Sequence, residues 1–200
     1  MLHVGLMGYA RSGKDTVGAY LTEKHGYRRV SFADPLREAA LKLDPIVDWD
    51  SNGSGLEIRL SEEVGLIGWE RAKDRFDEVR RILQHMGQTI RDLDPDFWIR
   101  QALRKVDEAE GIGLPCVITD VRYPNEVEAL RRRGFYLVHI DRPGVGPAND
   151  HASETSIRPD DADERLHNIG TLDELTTCVE EMWARLHDTA SRRHYARSYD

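Results

Sequence analysis

The residues with the clearest capacity for chemistry lie near the amino terminus, where positions 8–14 have the sequence Gly-Tyr-Ala-Arg-Ser-Gly-Lys. This spacing fits the pattern G-x-x-x-x-G-K of phosphate-binding loops. Successive backbone N–H groups of such a loop form a cradle for anions, and the lysine reaches the outer phosphates of a nucleoside triphosphate. The residues of this loop that we predict to bind phosphate are Gly8, Ser12, Gly13 and Lys14.

The position after the lysine departs from the usual pattern, because Asp15 stands where a serine or threonine normally binds Mg²⁺. Thr16 follows one residue later, and its hydroxyl could bind metal or phosphate. Asp15 could contact the metal through water, or it could simply favour the first turn of the following helix. Both residues are therefore candidate metal ligands.

A second group of polar residues lies on a predicted helix at positions 78–93. Gln84 is four residues from Arg80 and three from Arg81, so that their side chains can converge on one ligand. Gly87 lies within this helix, where glycine costs about 1 kcal/mol relative to alanine, which indicates a close approach of a backbone or a ligand. The alternative is a solvated charged face with a tolerated glycine.

Charged residues also follow two predicted strands. Asp120 and Arg122 lie at the carboxyl end of a strand, the edge at which ligands bind in open α/β sheets. Asp120 can organise Mg²⁺ or its water shell and Arg122 can contact a phosphate, while the alternative is a salt bridge between them. Arg142 follows the next strand and can stack on a nucleobase or contact phosphate.

Three further residues carry weaker signals. Trp98 lies at the start of a predicted helix, where tryptophan is more often a core residue than a platform for a base. His151 and Glu154 lie in an irregular stretch and, taken singly, are expected to face solvent. The histidines show no spacing typical of zinc ligands.

The elements that must position these residues alternate between short apolar runs and helical periods. The runs predict buried strands at residues 2–7, 30–32, 116–119 and 136–140. Apolar positions three and four residues apart predict helices at 16–25, 36–43, 78–93, 97–109, 125–133 and 172–186. This alternation is typical of an α/β fold with a mainly parallel sheet covered by helices on both faces.

The length of the chain favours a single domain, which we place at residues 1–190. The stretch 44–75 interrupts the alternation and is expected to be a helical or irregular insertion. The stretch 142–163 is rich in proline and aspartate and is expected to be a lid-like loop. Residues 191–200 lack an apolar period and are expected to form a flexible tail.

Composition excludes several classes of protein. Of the 200 residues, 40% are hydrophobic and 32% are charged, which excludes membrane, collagen-like and disordered chains. The 28 basic and 36 acidic residues give a net charge of −8, which argues against a nucleic-acid polymer as the partner. Only two cysteines are present and no charged leader precedes the first strand, so that a cytoplasmic location is expected.

Taken in order, seven segments resemble the phage-type deoxynucleoside monophosphate kinase family. They are Arg-Ser-Gly-Lys-Asp-Thr at 11–16, Ala-Asp-Pro-Leu-Arg at 33–37, Arg-Arg-Ile-Leu-Gln-His-Met-Gly at 80–87, Phe-Trp at 97–98, Asp-Val-Arg at 120–122, His-Ile-Asp-Arg-Pro-Gly at 139–144 and Asn-Asp-His at 149–151. The ordered set is specific and extends from residue 1 to about residue 186. The family shares the aspartate at position 15, whereas the resemblance places no counterpart for residues 44–75 or for the tail.

The resemblance implies a three-layer P-loop kinase fold with a small helical substrate-binding part and a lid. The residues that it implies for catalysis are Lys14, Arg11 and Arg122. Those implied for ATP binding are Gly8, Ser12, Gly13, Lys14, Asp15, Thr16 and Arg142. Those implied for the acceptor are Arg11, Leu36, Arg37, Arg80, Arg81, Gln84, Gly87, Trp98, Asp120, Arg122, Glu126, His151 and Glu154, and those implied for the metal are Asp15, Thr16 and Asp120.

The resemblance also implies a reaction, in which the γ-phosphoryl group of ATP is transferred to a deoxynucleoside 5′-monophosphate with Mg²⁺ as cofactor. The implied partners are these two nucleotides, without a nucleic-acid polymer or a membrane, and a homodimer is left open. The implied location is the cytoplasm, that of the host for a phage-encoded protein. Two alternatives stay open, a related small-molecule kinase such as a phosphomevalonate kinase and a regulator that binds ATP without transferring phosphate.

Overall fold

The structure of the protein, a computed structural model, describes residues 2–50, 55–146 and 156–197, with side chains described up to residue 188. The chain divides into two compact units, one formed by residues 1–31 and 103–200 and the other by residues 32–102. Each unit has a hydrophobic core of its own. The second unit is larger than the insertion predicted at 44–75.

A five-stranded sheet forms the centre of the first unit. Its strands are β1 (Val4–Met7), β2 (Arg28–Val30), β5 (Cys116–Val121), β6 (Tyr136–Asp141) and β7 (Glu164–His167). Their order is β2-β5-β1-β6-β7, and every neighbouring pair is parallel. The central strand β1 is buried along its whole length, as expected for a parallel strand between helical layers.

Helices cover both faces of this sheet. They are α1 (Lys14–His25), α6 (Pro124–Arg132), α7 (Leu172–Arg197) and the later part of α5 (Phe97–Gly111). Because side chains alternate along a strand, Leu6 of β1 packs in one core with Val17 of α1 and Met182 of α7. On the opposite face, a Cβ at Gly5 would lie 3.2 Å from Leu130 of α6. The predicted α/β fold with a parallel sheet between helices is confirmed.

The second unit combines helices with a short hairpin. Its helices are α2 (Asp34–Leu43), α3 (Leu60–Arg75), α4 (Asp77–Leu93) and the first residues of α5, and its strands β3 (Ile46–Trp49) and β4 (Glu57–Arg59) pair antiparallel. The core of this unit contains Ala40, Val47, Leu60, Phe76 and Val79. The stretch predicted as helical or irregular therefore contains β3, β4 and α3.

Three boundaries differ from the sequence-based expectation. Strand β2 begins at Arg28 and ends at Val30, two residues earlier than predicted, because its first two side chains are exposed and interrupt the apolar run. Strand β7 and a 3₁₀ turn at Pro159–Asp161 lie in or after the predicted lid. Helix α7 extends to Arg197, well beyond residue 186 and into the predicted tail.

No helix in the described part of the chain is long and apolar enough to span a membrane.

Candidate functional site

The loop between β1 and α1 turns through three left-handed residues. The φ angles are 130° at Gly8, 65° at Arg11 and 111° at Gly13, and the Ser12 N–H donates to the Tyr9 carbonyl oxygen at 3.2 Å. Successive backbone N–H groups in such turns form a concave surface that binds anions. The loop leads directly into the amino terminus of α1, where the helix dipole places further positive partial charge.

Neither glycine of this loop has room for a side chain. A Cβ at Gly8 would lie 2.4 Å from the Ile140 carbonyl oxygen, and a Cβ at Gly13 would lie 2.7 Å from Asn168 Nδ2. The loop is therefore packed against the end of β6 and against the residue that follows β7. Both glycines are required for close packing as well as for their backbone conformation.

Lys14 is the first residue of α1, and its side chain folds back over the loop. Its Nζ donates to the carbonyl oxygens of Gly8 at 2.7 Å and Tyr9 at 2.5 Å. The residue is only 6% exposed, so that its charge is held at the loop. A buried ammonium group requires compensation, which carbonyl dipoles supply in part and a bound anion would complete.

Ser12 contributes an unsatisfied polar atom to the same loop. Its Oγ is buried and has no hydrogen-bond partner among the residues that the structure describes. Because buried polar groups are nearly always hydrogen-bonded, such an atom beside an anion-binding loop indicates a missing ligand. With the Lys14 ammonium group and the two glycines, Ser12 fits the outer phosphates of a nucleoside triphosphate.

The predicted metal ligands next to this loop have oxygen atoms that suit Mg²⁺. Asp15 and Thr16 are exposed in the first turn of α1, and Asp15 lies 3.6 Å from Arg29. Within residues 2–50, 55–146 and 156–197, no three His, Cys, Asp or Glu side chains are grouped so that they could hold a metal ion. Mg²⁺ commonly takes one or two protein ligands and completes its shell with phosphate and water oxygens. Asp15 and Thr16 fit a metal that binds together with a nucleotide.

Asp120 lies near the carboxyl end of β5 and is bound to the residue after β2. Its Oδ2 accepts a hydrogen bond from Ser31 Oγ at 2.6 Å, and Ser31 is buried. This hydrogen bond joins the ends of the neighbouring strands β2 and β5, and ligands of open α/β sheets are expected beyond the carboxyl ends of the strands. Ser31 was not predicted from the sequence, where the available signal is a small polar residue directly after a strand.

Glu126 fixes the backbone of the segment that carries Arg122. Its carboxylate is buried and accepts hydrogen bonds from the backbone N–H groups of Arg122 at 2.8 Å and Tyr123 at 3.1 Å. These bonds cap the amino terminus of α6 and orient the segment that carries Arg122. The structure thus gives Glu126 a positioning role, and its contact with an acceptor stays a prediction.

Burial also defines the protonation of His139 on β6. The ring is 5% exposed, and its Nδ1 has no hydrogen-bond partner within the described ranges. Burial holds the pKa of His139 below its ordinary value, with Asp141 opposing and the positive charges of Arg165 and Lys14 adding to the effect. We therefore expect a neutral ring at pH 7, so that His139 adds no positive charge beside Lys14.

Three predicted acceptor residues, Leu36, Gly87 and Trp98, meet inside the second unit. A Cβ at Gly87 would lie 3.2 Å from Leu36 Cδ2, so that the glycine allows α2 and α4 to approach closely. Trp98 is buried, and its Nε1 donates to the Gly87 carbonyl oxygen at 3.1 Å. These contacts give Gly87 and Trp98 a role in packing. Their contacts with a substrate stay predictions.

The predicted acceptor arginines of this unit are paired with carboxylates. The pairs are Arg37 with Glu70 at 3.3 Å, Arg80 with Asp74 at 2.5 Å and Arg81 with Glu78 at 2.5 Å. Gln84 lies on the same helix as Arg80 and Arg81 and is exposed. Each pair has at least one largely exposed partner, and ion pairs at the protein surface contribute only about 0–1 kcal/mol to stability, so that an anionic ligand can displace the carboxylates.

The remaining predicted residues lie in loops. Arg11 is exposed in the β1–α1 loop, and Arg142 is exposed directly after β6. Arg142 therefore begins the predicted lid, at the carboxyl end of β6. His151 and Glu154 lie outside the described residues.

Asn168, which was not predicted from the sequence, binds the β1–α1 loop directly. Its side-chain Nδ2 donates to the Ser12 carbonyl oxygen at 2.9 Å, and its backbone N–H donates to the Asp141 carbonyl oxygen at 2.7 Å. The residue is buried. Asn168 thus connects the ends of β6 and β7 to the loop. The sequence does not point to Asn168, because β7, which precedes it, is too polar to be recognised as a strand.

Asn168→Asp is expected to weaken the binding of inorganic triphosphate to the β1–α1 loop about tenfold and to lower the melting temperature by a few degrees. The aspartate has the same shape, but its oxygen replaces a donor and faces the Ser12 carbonyl oxygen. Calorimetric titration with inorganic triphosphate and a thermal melt measure the two effects. A fall in the melting temperature far beyond a few degrees would show a general loss of structure instead.

Comparison with known proteins adds three findings. A model of the family described as deoxynucleotide monophosphate kinase matches residues 68–179. A protein of Acanthamoeba polyphaga mimivirus, whose name describes a deoxynucleotide monophosphate kinase, is 30% identical over 169 residues, which is 79% of this chain and 83% of that protein. The deoxynucleotide monophosphate kinase of Enterobacteria phage T4 is 29% identical over an aligned segment that covers 57% of this chain and about half of the T4 protein.

A solved structure supports the fold. The dephospho-CoA kinase from Campylobacter jejuni superimposes with a TM-score of 0.51 at 8% sequence identity, covering 95% of this chain and 100% of that one. At such low identity the similarity concerns the fold alone.

Proposed function

Because the chain belongs to the deoxynucleotide monophosphate kinase family, we propose that it transfers the γ-phosphoryl group of ATP to a deoxynucleoside 5′-monophosphate. Membership of this family makes the chain a kinase, whereas the donor, the acceptor and the residues that bind them belong to the proposal. The observation that carries the proposal is the buried Lys14 ammonium group, held over a loop of left-handed residues at the start of α1.

The donor side of the proposed site uses the β1–α1 loop. Backbone N–H groups of the loop and the Lys14 ammonium group bind the outer phosphates of ATP, and Ser12 Oγ gains a partner. Phosphoryl transfer requires little covalent chemistry, so that positioning and charge neutralisation carry the catalysis. Mg²⁺ bound at Thr16, Asp15 or Asp120 supplies further neutralisation of the phosphates.

Arginines complete the neutralisation of the transferring group in this proposal. Arg11 lies within the loop and Arg122 at the carboxyl edge of the sheet, where each can approach the γ-phosphate or the acceptor phosphate. Arg142 is proposed to contact ATP from the start of the lid. No general base is needed, because the acceptor phosphate oxygen is already anionic.

The residues that we propose to bind the acceptor lie in the second unit. Arg37 and Arg81 are proposed to bind the monophosphate with Arg80 beside them, and Gln84 is proposed to contact the base. All three arginines are held near the surface by carboxylates that an incoming phosphate can replace, since a phosphate carries more charge than a carboxylate. Leu36 and Gly87 support this group by packing α2 against α4.

A coupled assay of ADP release tests the proposed reaction. The acceptors are dAMP, dCMP, dGMP, dTMP, the four ribonucleotides and phosphomevalonate, each supplied with ATP and Mg²⁺. ADP release is expected with at least one deoxynucleotide. Release with phosphomevalonate alone would assign the chain to another group of small-molecule kinases, and ATP binding without release would indicate a regulator.

Arg81→Ala is expected to raise the KM for the deoxynucleotide about tenfold or more, because hydrogen bonds between charged groups contribute about 1.5–3 kcal/mol. The KM for ATP should change little. The matched control is Arg100→Ala, which removes an arginine paired with Asp94 and given no role in the site. Equal effects of Arg81→Ala on both KM values would contradict the acceptor role.

A further inference from the structure

Three side chains from α2 and α3 converge in the second unit. The Oε1 atom of Glu70 accepts hydrogen bonds from Lys73 Nζ at 2.7 Å and from Arg37 Nη2 at 3.3 Å. A single carboxylate therefore bridges two cations, and its one negative charge does not balance both of them. Neither Glu70 nor Lys73 was given a role from the sequence.

The two cations are more shielded from solvent than the carboxylate between them. Side-chain exposure is 24% for Arg37 and 18% for Lys73, against 75% for Glu70. Burial lowers the pKa of Lys73 below its ordinary value, and the ion pair with Glu70 opposes that shift. The cations thus lie on the inner side of this cluster, with the carboxylate on the side of the solvent.

Contacts other than the carboxylate help to hold Arg37 and the backbone at Lys73. The guanidinium carbon of Arg37 lies 5.7 Å from the centre of the Trp69 ring, a cation–π contact. Arg80 Nε donates to the Lys73 carbonyl oxygen at 2.8 Å and so attaches α4 to the same turn of α3. The Arg37 guanidinium group and the turn that carries Lys73 are therefore arranged before a ligand arrives, which reduces the entropy lost on binding.

A phosphate monoester suits this arrangement better than a carboxylate does. It carries nearly two negative charges at pH 7 and offers three acceptor oxygens, enough for both cations at once. The Glu70 side chain is mostly exposed, so that it can turn into solvent with little loss of stability when another anion takes its place.

We propose that Arg37 and Lys73 bind the 5′-phosphate of the acceptor nucleotide and that Glu70 occupies the position of this phosphate while the acceptor is absent. The inference rests on the proposed function, to which it adds Lys73 as a binding residue and Glu70 as a competitor of the substrate. The two residues consequently act in opposite directions, since removing the Lys73 charge weakens binding whereas removing the Glu70 charge strengthens it.

Calorimetric titration without ATP tests this proposal, with whichever of dAMP, dCMP, dGMP and dTMP gives the fastest ADP release. Lys73→Met is expected to raise the Kd about tenfold or more, because one charge-assisted hydrogen bond is lost. Glu70→Gln is expected to lower the Kd about threefold, because an exposed competing ion pair is removed. The matching deoxynucleoside, which lacks the phosphate, is expected to show neither effect.

Arg75→Met provides the matched control, since it removes a cation of the same helix. Arg75 lies 3.5 Å from Glu63 and 5.0 Å from the Phe76 ring centre, and neither partner belongs to the Glu70 cluster. This variant is expected to bind the nucleotide as the unaltered protein does. Thermal melts of all three variants identify any that fails to fold, and Glu70→Gln still tests the proposal if Lys73→Met does not fold.

The outcomes separate this inference from the proposed function. If the unaltered protein releases no ADP and binds none of the four nucleotides, the proposed function fails and the inference fails with it. If the protein is active but Glu70→Gln leaves the Kd unchanged, the inference alone is overturned. It is also overturned if Arg75→Met weakens binding as much as Lys73→Met does.

Discussion

Lys14→Met is expected to lower kcat/KM for phosphoryl transfer by about 10³-fold or more, because it removes the buried positive charge of the β1–α1 loop. Methionine has a similar length and lacks the ammonium group. The free energy of unfolding is expected to change by no more than about 2 kcal/mol, since two hydrogen bonds and a buried charge are lost together. ADP release and a chemical denaturation curve measure the two quantities.

The matched control for this variant is Lys24→Met, which removes an exposed lysine from the last turn of the same helix. Its activity should equal that of the unaltered protein. Turnover at the normal rate in Lys14→Met would contradict the role of Lys14 on which the proposed function depends. A loss of activity accompanied by unfolding would instead indicate that Lys14 mainly stabilises the loop.

The turn between β1 and α1 could be predicted because it depends on residues that are adjacent in sequence. The spacing from Gly8 to Lys14 specifies the turn, and the buried strand and the helix on either side confirm the context. The support from Asn168 could not be predicted, because this residue lies 154 residues further along the chain than Lys14. Only one of the four residues of β7 is buried, so that this edge strand leaves no apolar run.

The cluster around Glu70 was missed for a different physical reason. Helix α3 contains Gly68, whose φ of 78° and ψ of 164° interrupt the helical backbone and join two shorter helical segments at a kink. A single helical period therefore does not extend across residues 60–75, and the apolar pattern looks weak. The hairpin before it has strands of only four and three residues, too short to show alternation.

The spacing of arginines along a predicted helix gave their location correctly but did not predict their ion-pair partners. Residues predicted from helix spacing, such as Arg80 and Arg81, lie on one helix, as expected, but the structure pairs them with separate carboxylates on α3 and α4. Spacing on a helix places side chains near one another and does not determine their partners. Those partners, Asp74 and Glu78, had no role in the sequence-based prediction.

Gly8→Ala is expected to lower the free energy of unfolding by about 3 kcal/mol or more, or to displace the loop and abolish ATP binding. The φ of 130° at this position is one that L-residues rarely adopt, and the new Cβ would lie 2.4 Å from the Ile140 carbonyl oxygen. This oxygen belongs to the backbone of β6 and cannot rotate away. A melting temperature lower by about 6–12 °C corresponds to this loss of stability.

Gly26→Ala separates backbone strain from close packing, because Gly26 has a φ of 68° and a Cβ there would meet no described atom within 4 Å. Its expected cost is about 1–2 kcal/mol, with ADP release unchanged. A larger effect at Gly8 would then come from the contact with β6 and from its less accessible backbone conformation. If the two variants lost equal stability and both stayed active, the loop would tolerate a side chain at Gly8, and its close packing would not be needed for binding phosphate.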